Sequence, residues 1–318
     1  MLNWLRTLKA TYVANNILNR SKLAHNKALY EKYGIDRPLT WPIGSENFAH
    51  LPQELPWMDQ LSSLEELENH PRFQQLHQPQ QEQAKFWFEN GYLIIKNCFS
   101  TEDIDRINSE IAFLLKEKNL RQKKDTRIFF AFRHSDYLKD VVWRKDLVEL
   151  MSLLTGMDMF PFQSLNFIKG SQQRAHSDSI HMTTFPMGYL TATWLALEDV
   201  DKDNGPLFYY PGSHRLPYVM NSDFDHGGSQ YRIGSTANAR YEDKMAEVIE
   251  QVGLERKTFE AKAGDLLIWH ANLIHGGDPI LDPSRSRKSM VVHYFGKEVI
   301  CYHELTQRPA LLPSSEYH

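Results

Sequence analysis

The chain contains a series of strand-like segments in its second half, most of which follow one another without helices between them. These segments are short, rich in apolar and β-branched residues, and separated by turns with Gly, Pro, Asn and Asp: 159–168, 189–197, 207–210, 265–269 and 289–294. A parallel sheet would require a crossover connection, usually a helix, between consecutive strands. The pattern therefore predicts a sandwich or jelly roll rather than a βαβ sheet.

Sequence patterns divide the chain into three parts. Residues 1–75 are predicted to be a helical segment, with a basic helix followed by an acidic stretch. Residues 76–300 are predicted to form the main domain, and 301–318 a C-terminal tail. An insertion at 218–262 contains a predicted helix at 240–254. It is long for a connection inside a sheet, and such loops are often lids or substrate-binding elements.

The first helix has a one-sided charge. Its bases outnumber its single acid, Glu31: they are Arg6, Lys9, Arg20, Lys22, Lys27 and Lys32. One interpretation is peripheral contact with a membrane surface or a partner through this helix. The other is a helix packed on the main domain with a solvated basic face, and the sequence favours this second interpretation.

Composition excludes several classes of protein. A formal net charge of -4 argues against nucleic-acid binding, which requires a basic surface. The two cysteines, Cys98 and Cys301, cannot form a disulfide framework or a cysteine zinc site, so we expect a reducing, cytoplasmic setting. No run approaches the roughly 18 apolar residues of a membrane span, and we expect no secretory signal at the start. Oligomeric state is not readable.

Two separated motifs suggest a metal site. In His176-Ser-Asp178 an imidazole and a carboxylate project to the same side of extended backbone, because strand side chains alternate. Much later, a turn at Gly264-Asp265 begins a strand that leads to His275. Two histidines and one carboxylate form the facial triad of non-heme iron(II) oxygenases. Downstream, Arg285 and Arg287 precede a core strand, where a guanidinium needs a carboxylate partner.

These motifs together resemble the phytanoyl-CoA dioxygenase family of iron(II)/2-oxoglutarate-dependent oxygenases. The resemblance covers residues of about 80 to 297. It includes, in order, the segment 89–100, His176-x-Asp178, 194–199, Asn204-Gly-Pro-Leu207, Pro211-Gly-Ser-His214, Gly264-Asp265, His275-Gly276 and Arg287 before His293-Tyr294. The order and spacing of the motifs carry the resemblance, because each alone is modest. The first 75 residues have no counterpart in it.

The resemblance implies a fold, a site and an activity. The fold would be a mostly β core with flanking helices: a double-stranded β-helix, the cupin-like jelly roll. His176, Asp178 and His275 would bind Fe(II), Arg287 would hold the far carboxylate of the cosubstrate 2-oxoglutarate, and Trp194 would line that pocket. The enzyme would use O2 to hydroxylate an unactivated carbon of a small or medium-sized metabolite, converting 2-oxoglutarate to succinate and CO2. Related halogenases lack the carboxylate that Asp178 provides.

Some positions depart from the family or stay undecided. Gly277 lies where relatives often have a hydroxyl residue that helps to hold 2-oxoglutarate. Arg285 would share a strand face with Arg287, and we choose Arg287 by its distance from His293-Tyr294. Arg127 or Arg133 could meet an anionic group of the substrate.

Four other histidines need separate interpretation. His214 is interpreted as a turn residue and His293 as a sheet residue. His270 is predicted on the strand face opposite His275. His181 follows the metal motif, and its position does not decide whether it faces the substrate. The acidic run Asp199-x-Asp201-x-Asp203 lacks the Gly and Glu of a calcium loop at its sixth and twelfth positions, so it is interpreted as a turn.

Two other functions stay open. The same triad could hold another divalent metal in a hydrolase or isomerase, since nickel, copper and zinc bind such ligands more tightly than iron. Arg287 argues against this, because only a 2-oxoglutarate enzyme needs it. Alternatively, the protein could be a catalytically silent 2-oxoglutarate sensor. The intact triad argues against that, because silent relatives are expected to lack a ligand.

Overall fold

The computed structural model describes residues 7–117 and 127–313. Its centre is an antiparallel sheet of six strands in the order β1-β8-β5-β10-β3-β2. These strands are β1 (Tyr92–Ile95), β2 (Arg127–Phe129), β3 (Met159–Phe167), β5 (Leu190–Ala196), β8 (Leu266–His270) and β10 (Ser289–Gly296). A small sheet, β7-β6-β9, adds β6 (Leu207–Tyr209), β7 (Lys257–Phe259) and β9 (His275–Gly277). Together with a third sheet they form the predicted double-stranded β-helix.

Helices surround this core. They are α1 (Lys9–Leu18), α2 (Asn26–Lys32), α3 (Leu64–Asn69), α4 (Pro71–Gln74), α5 (Gln78–Asn90), α6 (Thr101–Glu117), α7 (Asp136–Val142), α8 (Lys145–Thr155) and α9 (Ala237–Val252). α5 ends at Gly91, whose φ of 74° suits a residue without a side chain. At the start of α6, Ser100 Oγ accepts the Asp103 N–H and Asp103 Oδ2 accepts the Ser100 N–H, a reciprocal cap.

The large sheet has two different faces. Side chains that alternate outwards, such as Leu195, Ile268 and Met290, pack in one buried cluster with α6, α7 and α8. Those that alternate inwards, such as Trp194 and Val291, belong to a second cluster inside the β-helix. Because every residue of β5, β8 and β10 is buried, these strands lie between a helical layer and an interior.

The terminal segments also take part in the buried core. Tyr30 and Phe48 pack against Phe185 and Tyr302. The third sheet, β12-β11-β4, consists of β4 (Thr183–Phe185), β11 (Ile300–His303) and β12 (Arg308–Pro309). Residues 301–313, which the sequence assigned to a tail, therefore include paired strands. The domain boundaries themselves stay predictions, and residues 314–318 lie outside the described part.

The single basic helix predicted from the sequence is instead two helices, α1 and α2, with a 3-10 turn at Arg20–Leu23 between them. Helix α1 packs on the rest of the protein. The Lys9 N–H donates to Tyr231 O at 3.0 Å, and the Asn16 side chain is buried and donates to Thr40 O. This agrees with the packed interpretation, while Leu18 remains 86% exposed. Arg6 lies outside the described residues, so its place on this helix stays a prediction. In the described ranges, no helix is both long and apolar enough to cross a membrane.

Candidate metal centre and its cavity

The two metal-motif segments meet inside the β-helix. His176 and His275 form an isolated antiparallel bridge, in which each backbone N–H donates to the other residue's carbonyl at 2.9 Å. His275 opens β9, and Asp178 begins a single 3-10 turn, Asp178–Ile180. The bridge brings residues that are far apart in sequence into one cluster.

The three side chains converge on one point. Among the described residues, His176, Asp178 and His275 are the one group whose potential ligand atoms all lie within 4.8 Å of one another. His176 Nε2 and His275 Nε2 each lie 3.8 Å from Asp178 Oδ1. These separations are too long for hydrogen bonds, so the three atoms leave space between them. We call these three residues the metal centre.

Backbone carbonyls orient both imidazoles. His176 Nδ1 lies 2.8 Å from Arg174 O, and His275 Nδ1 lies 2.9 Å from Leu273 O. A carbonyl can only accept, so each Nδ1 carries the proton and each Nε2 presents a lone pair to the centre. Burial, reinforced by His275, lowers the pKa of His176 to about 3, which keeps this ring neutral. Neutral imidazoles are the form that binds a metal.

Asp178 is held by two residues that the sequence did not single out for the site. Trp269 Nε1 donates to Asp178 Oδ2 at 2.9 Å, and His293 Nε2 lies 3.5 Å from the same oxygen. Burial acts to raise the pKa of Asp178, but the surrounding imidazoles outweigh it and the pKa lies below its usual range. The carboxylate is therefore ionised, with Oδ2 occupied and Oδ1 facing the histidines.

This donor set fits a divalent metal. Two neutral nitrogens and one anionic oxygen on one side of a site match the facial arrangement that leaves further positions open. The second hydrogen bond of each ligand is satisfied, as is usual around metal ligands. The residues present therefore fit Fe(II), although the same set would also accept other divalent ions.

A cavity of about 560 Å³ opens from the metal centre. That size is typical of sites for small ligands. Its lining combines aromatic and aliphatic side chains with a few polar groups: Arg127, Phe129, Gln163, Leu165, Phe167, Ser171, Gln173, His181, Met182, Trp194, Leu207, Asn238, Glu242, Trp269, Gly276, Gly277, Arg287, Val291, His293 and His303, besides the three metal-centre residues. Asn238 and Glu242 belong to α9, so the predicted insertion contributes to the cavity wall.

Of Arg285 and Arg287, it is Arg287 that faces this cavity. It is only 3% exposed, and its guanidinium lies 5.3 Å from the centroid of Trp194. Nη1 donates to Ser289 Oγ at 2.5 Å, while Nε is buried without an acceptor in the part of the chain that is described. Burial lowers the pKa of Arg287 to about 10, so it stays a cation at neutral pH. Arg285 instead pairs with Asp201 at 2.8 Å, away from the cavity lining.

The departure at Gly277 has a local explanation. A Cβ at this position would lie 2.6 Å from Ser171 Oγ and 3.0 Å from the Gln172 N–H nitrogen. Ser171 lines the cavity, and a Cβ on its neighbour Gly170 would lie 3.5 Å from Arg287 Nε. The space of a side chain at 277 is therefore filled by the Ser171 hydroxyl, near the Arg287 end of the cavity.

The remaining predicted residues separate into cavity and non-cavity groups. His181 and His293 line the cavity, so His293 is a sheet residue with a place at the site. Arg127 lines it, whereas Arg133 is exposed. Asp201 lies between β5 and β6 and pairs with Arg285.

His214 and His270 lie outside the cavity lining, in a separate group with Asp59. His270 Nε2 lies 2.9 Å from Asp59 Oδ2, and its Nδ1 accepts the Asn272 N–H. The ring of His214 lies 5.5 Å from that of His270, and its Nε2 lies 3.2 Å from Phe88 O. We call Asp59, His214 and His270 the Asp59 cluster.

Comparison with known proteins agrees with these features. The family model described as phytanoyl-CoA dioxygenase (PhyH) matches residues 87–289. Peroxisomal phytanoyl-CoA dioxygenase of Bos taurus is 24% identical over 220 residues, which cover 61% of this chain and 62% of that protein. Ectoine dioxygenase of Nocardia farcinica is 26% identical over 221 residues, covering 64% of this chain and 73% of that protein. The match to the first of these relatives thus spans less than two thirds of its length.

Solved structures show the same fold. EctD from S. alaskensis with 2-oxoglutarate and 5-hydroxyectoine has a TM-score of 0.56 at 17% identity, covering 74% of this chain and 86% of that one. The 2-oxoglutarate-dependent carbocyclase SnoK from nogalamycin biosynthesis has a TM-score of 0.57 at 17% identity, covering 73% and 89%. The family model matches well over half of the chain. The protein therefore belongs to the phytanoyl-CoA dioxygenase family.

Proposed function

We propose that this protein is an Fe(II)- and 2-oxoglutarate-dependent dioxygenase that hydroxylates an unactivated carbon of a small or medium-sized metabolite. One observation carries the proposal: the metal centre and the unpaired side of a buried arginine, Arg287, line the same cavity. A metal centre alone would serve many reactions, but a buried cation beside it suits a cosubstrate with a second carboxylate.

His176, Asp178 and His275 would hold the iron in this proposal. Bound there, Fe(II) supplies the redox chemistry that couples O2 and 2-oxoglutarate to substrate oxidation, with succinate and CO2 as by-products. The chain's own contribution is to orient both imidazoles through the Arg174 and Leu273 carbonyls, so that both Nε2 atoms face the centre. Trp269 fixes the carboxylate by occupying its other oxygen. Asp178 also argues for hydroxylation over halogenation, because it occupies a ligand position with a carboxylate.

The cosubstrate would lie between the metal centre and Arg287. A guanidinium presents a planar set of donors that matches a carboxylate, and Ser289 holds one of its nitrogens in place. Trp194 forms an apolar wall beside this guanidinium. We assign to Ser171 the hydroxyl contact that a residue at position 277 makes in other family members, because Ser171 Oγ fills that space.

The two alternative functions, a hydrolase or isomerase and a silent 2-oxoglutarate sensor, fit the site less well. A hydrolase or isomerase would gain nothing from a buried cation near the metal centre, and that cation costs free energy when unpaired. A silent sensor would bind 2-oxoglutarate without consuming it. The complete ligand set favours an active enzyme over the sensor.

Turnover without a substrate separates these functions. Purified protein with Fe(II), 2-oxoglutarate and oxygen should release succinate slowly, and His275→Ala should reduce the release to background. A sensor would bind 2-oxoglutarate and release no succinate. An enzyme of the other class would neither bind nor consume it.

The cellular setting is a smaller part of the proposal. Cys98 and Cys301 are both unpaired, which suits the reducing cytoplasm. Peripheral membrane contact through the basic N-terminal segment stays a separate prediction. It requires that the protein sediments with anionic vesicles and that the combined changes Arg6→Glu, Lys9→Glu and Arg20→Glu abolish this sedimentation.

A further inference from the structure

Helix α9 contacts the segment that carries two of the metal-centre residues. Ser177, which lies between His176 and Asp178, is only 1% exposed, and its backbone N–H donates to the hydroxyl of Tyr241 at 3.0 Å. The Ser177 Oγ lies 3.0 Å from the same hydroxyl oxygen. Tyr241 belongs to α9, in the predicted insertion. One hydroxyl of the insertion therefore contacts both the backbone and the side chain of the residue between two metal-centre residues.

The Tyr241 side chain is fixed by packing. It is 0% exposed, and with Ala237 and Met245 it forms the buried side of α9. Residues four apart lie on one face of a helix, so these three side chains face the same way. That face packs in a cluster with Ile180 and Ile274. Packing thus determines where the hydroxyl points, which is what a residue that positions a binding site requires.

The contact with Ser177 lies where it can affect the geometry of the metal centre. His176 is fixed on one side of Ser177 by its bridge to His275, and Asp178 begins the 3-10 turn on the other side. The dihedral angles of Ser177 therefore set how the two ligand side chains are oriented relative to each other. A buried N–H requires an acceptor, and Tyr241 provides one here. Without that hydroxyl, the Ser177 backbone could rotate and move the carboxylate away from the imidazole.

The same helix contacts the ligand segment at a second point. Arg174, whose carbonyl accepts a hydrogen bond from His176 Nδ1, forms ion pairs with Glu242 at 3.5 Å and with Asp243 at 2.8 Å. The Arg174 side chain is 51% exposed, and ion pairs at such exposure contribute little. The buried hydroxyl of Tyr241 is therefore the stronger of the two connections between α9 and the segment.

We propose that Tyr241 is a positioning residue of the metal centre. Its hydroxyl fixes the Ser177 backbone and so the relative orientation of His176 and Asp178. This rests on the proposed function, because those two residues are assigned there as iron ligands. The insertion then contributes to metal binding as well as to the cavity wall.

Metal affinity tests the proposal without turnover. Co(II) is a suitable probe, because it is stable in air and its visible spectrum depends on the geometry of its ligands. Tyr241→Phe should weaken Co(II) binding about 10-fold or more, as expected for loss of a group that orients metal ligands, and should alter the spectrum of the bound ion.

Tyr294→Phe is the matched control. The Tyr294 hydroxyl is also buried, but it donates to Val142 O at 2.9 Å on the helical side of the large sheet. Both variants lose one buried hydrogen bond, so both should lower the Tm of the metal-free protein. Only Tyr241→Phe should weaken Co(II) binding.

Hydrogen exchange separates a loss of positioning from a loss of folding. In the metal-free, unmodified protein the Ser177 amide proton should exchange slowly. Tyr241→Phe should accelerate its exchange while the amides of β10 keep their protection.

Three results would overturn the proposal. One is rapid exchange of the Ser177 amide in the folded, unmodified protein, which needs no variant to be observed. Another is unchanged Co(II) affinity in Tyr241→Phe. The third is an equal loss of affinity in Tyr294→Phe. Failure of the proposed function is seen separately, as absence of 2-oxoglutarate-dependent succinate release from protein that binds Co(II), whereas unmodified protein that binds no Co(II) would overturn both.

Discussion

The metal centre and the Asp59 cluster have the same composition but opposite geometry. Each contains two histidines and one aspartate. In the metal centre both Nε2 atoms lie 3.8 Å from the carboxylate oxygen, whereas in the Asp59 cluster His270 Nε2 lies 2.9 Å from its carboxylate. The longer separations leave room for an ion, and the shorter one is a closed hydrogen bond. Residue type therefore does not decide which cluster can bind a metal.

The difference arises from what the second ring nitrogen contacts. In the metal centre, backbone carbonyls take both Nδ1 protons and leave two lone pairs facing one oxygen. In the Asp59 cluster, the Asn272 N–H donates to His270 Nδ1, which forces the proton onto Nε2 and towards Asp59. A ring that donates through Nε2 cannot also be a ligand there. These backbone contacts leave one cluster open for a metal ion and close the other with a hydrogen bond.

The largest expected effect is on Fe(II) affinity, when one residue of each cluster is substituted. His275→Ala should weaken Fe(II) binding by more than the roughly 10- to 100-fold that loss of an outer-shell partner costs, because it removes a ligand. Asp59→Asn should leave the dissociation constant unchanged. Anaerobic calorimetry measures both. If the two variants bind iron equally well, the comparison is wrong.

The two arginines after residue 284 offer a second contrast. Arg287→Gln should weaken 2-oxoglutarate binding by roughly 10- to 100-fold, because a hydrogen bond to a charged group is worth about 1.5–3 kcal/mol. Arg285→Gln should have no effect, since Arg285 pairs with Asp201 away from the cavity lining. Equilibrium binding to the iron-loaded protein without oxygen tests the pair. An equal loss in both variants would contradict the assignment.

For the free energy of unfolding we expect the opposite contrast, with the effect at the Asp59 cluster. Asp59→Asn should lower the free energy of unfolding by about 2 kcal/mol, because it weakens the bond to His270. Excess Fe(II) should then raise the Tm of this variant as it does for the unmodified protein, but not that of His275→Ala. Thermal unfolding under anaerobic conditions provides the measurement. A metal-induced rise in His275→Ala would place the ion elsewhere.

The smallest effect concerns the Ser171 hydroxyl. Ser171→Ala should weaken 2-oxoglutarate binding about 5-fold, the equivalent of one neutral hydrogen bond of about 1 kcal/mol. Gly277→Ser should also weaken it, since the new Cβ would lie 2.6 Å from Ser171 Oγ. Combining Ser171→Gly with Gly277→Ser should restore affinity by moving the hydroxyl to the other position. If the double variant instead shows the summed losses of 2-oxoglutarate affinity, the hydroxyl cannot be moved from position 171 to position 277.

The sequence predicted those features that depend on order along the chain. Successive strands predicted a sandwich or jelly roll. The family resemblance added the double-stranded β-helix and grouped His176, Asp178 and His275, which the structure brings together. The strand predicted at 289–294 is observed as Ser289–Gly296. These predictions succeeded because local periodicity and the family's motif order both carry them. The prediction that His270 and His275 lie on opposite faces of one strand was wrong, because the strand ends at His270 and His275 begins β9 of another sheet.

Features that depend on register and long-range packing were not predicted. His293 was interpreted as an ordinary sheet residue, because alternation does not say which face lines the cavity. Its place follows from pairing with Ala192 and Gln163 on the two neighbouring strands. Trp269 as a partner of Asp178, and Asp59 as a partner of His270, likewise join segments whose contact no local pattern reveals.

The most direct test of the account is to add Fe(II) and then 2-oxoglutarate to metal-free protein without oxygen, and to follow the visible charge-transfer band of the chelated cosubstrate. We expect a band in the unmodified protein and in Asp59→Asn, no band in His176→Ala, and a band in Arg287→Ala only at much higher 2-oxoglutarate concentrations. Absence of a band from folded, iron-loaded protein, or a band that survives in His176→Ala, would contradict the assignment of the metal centre.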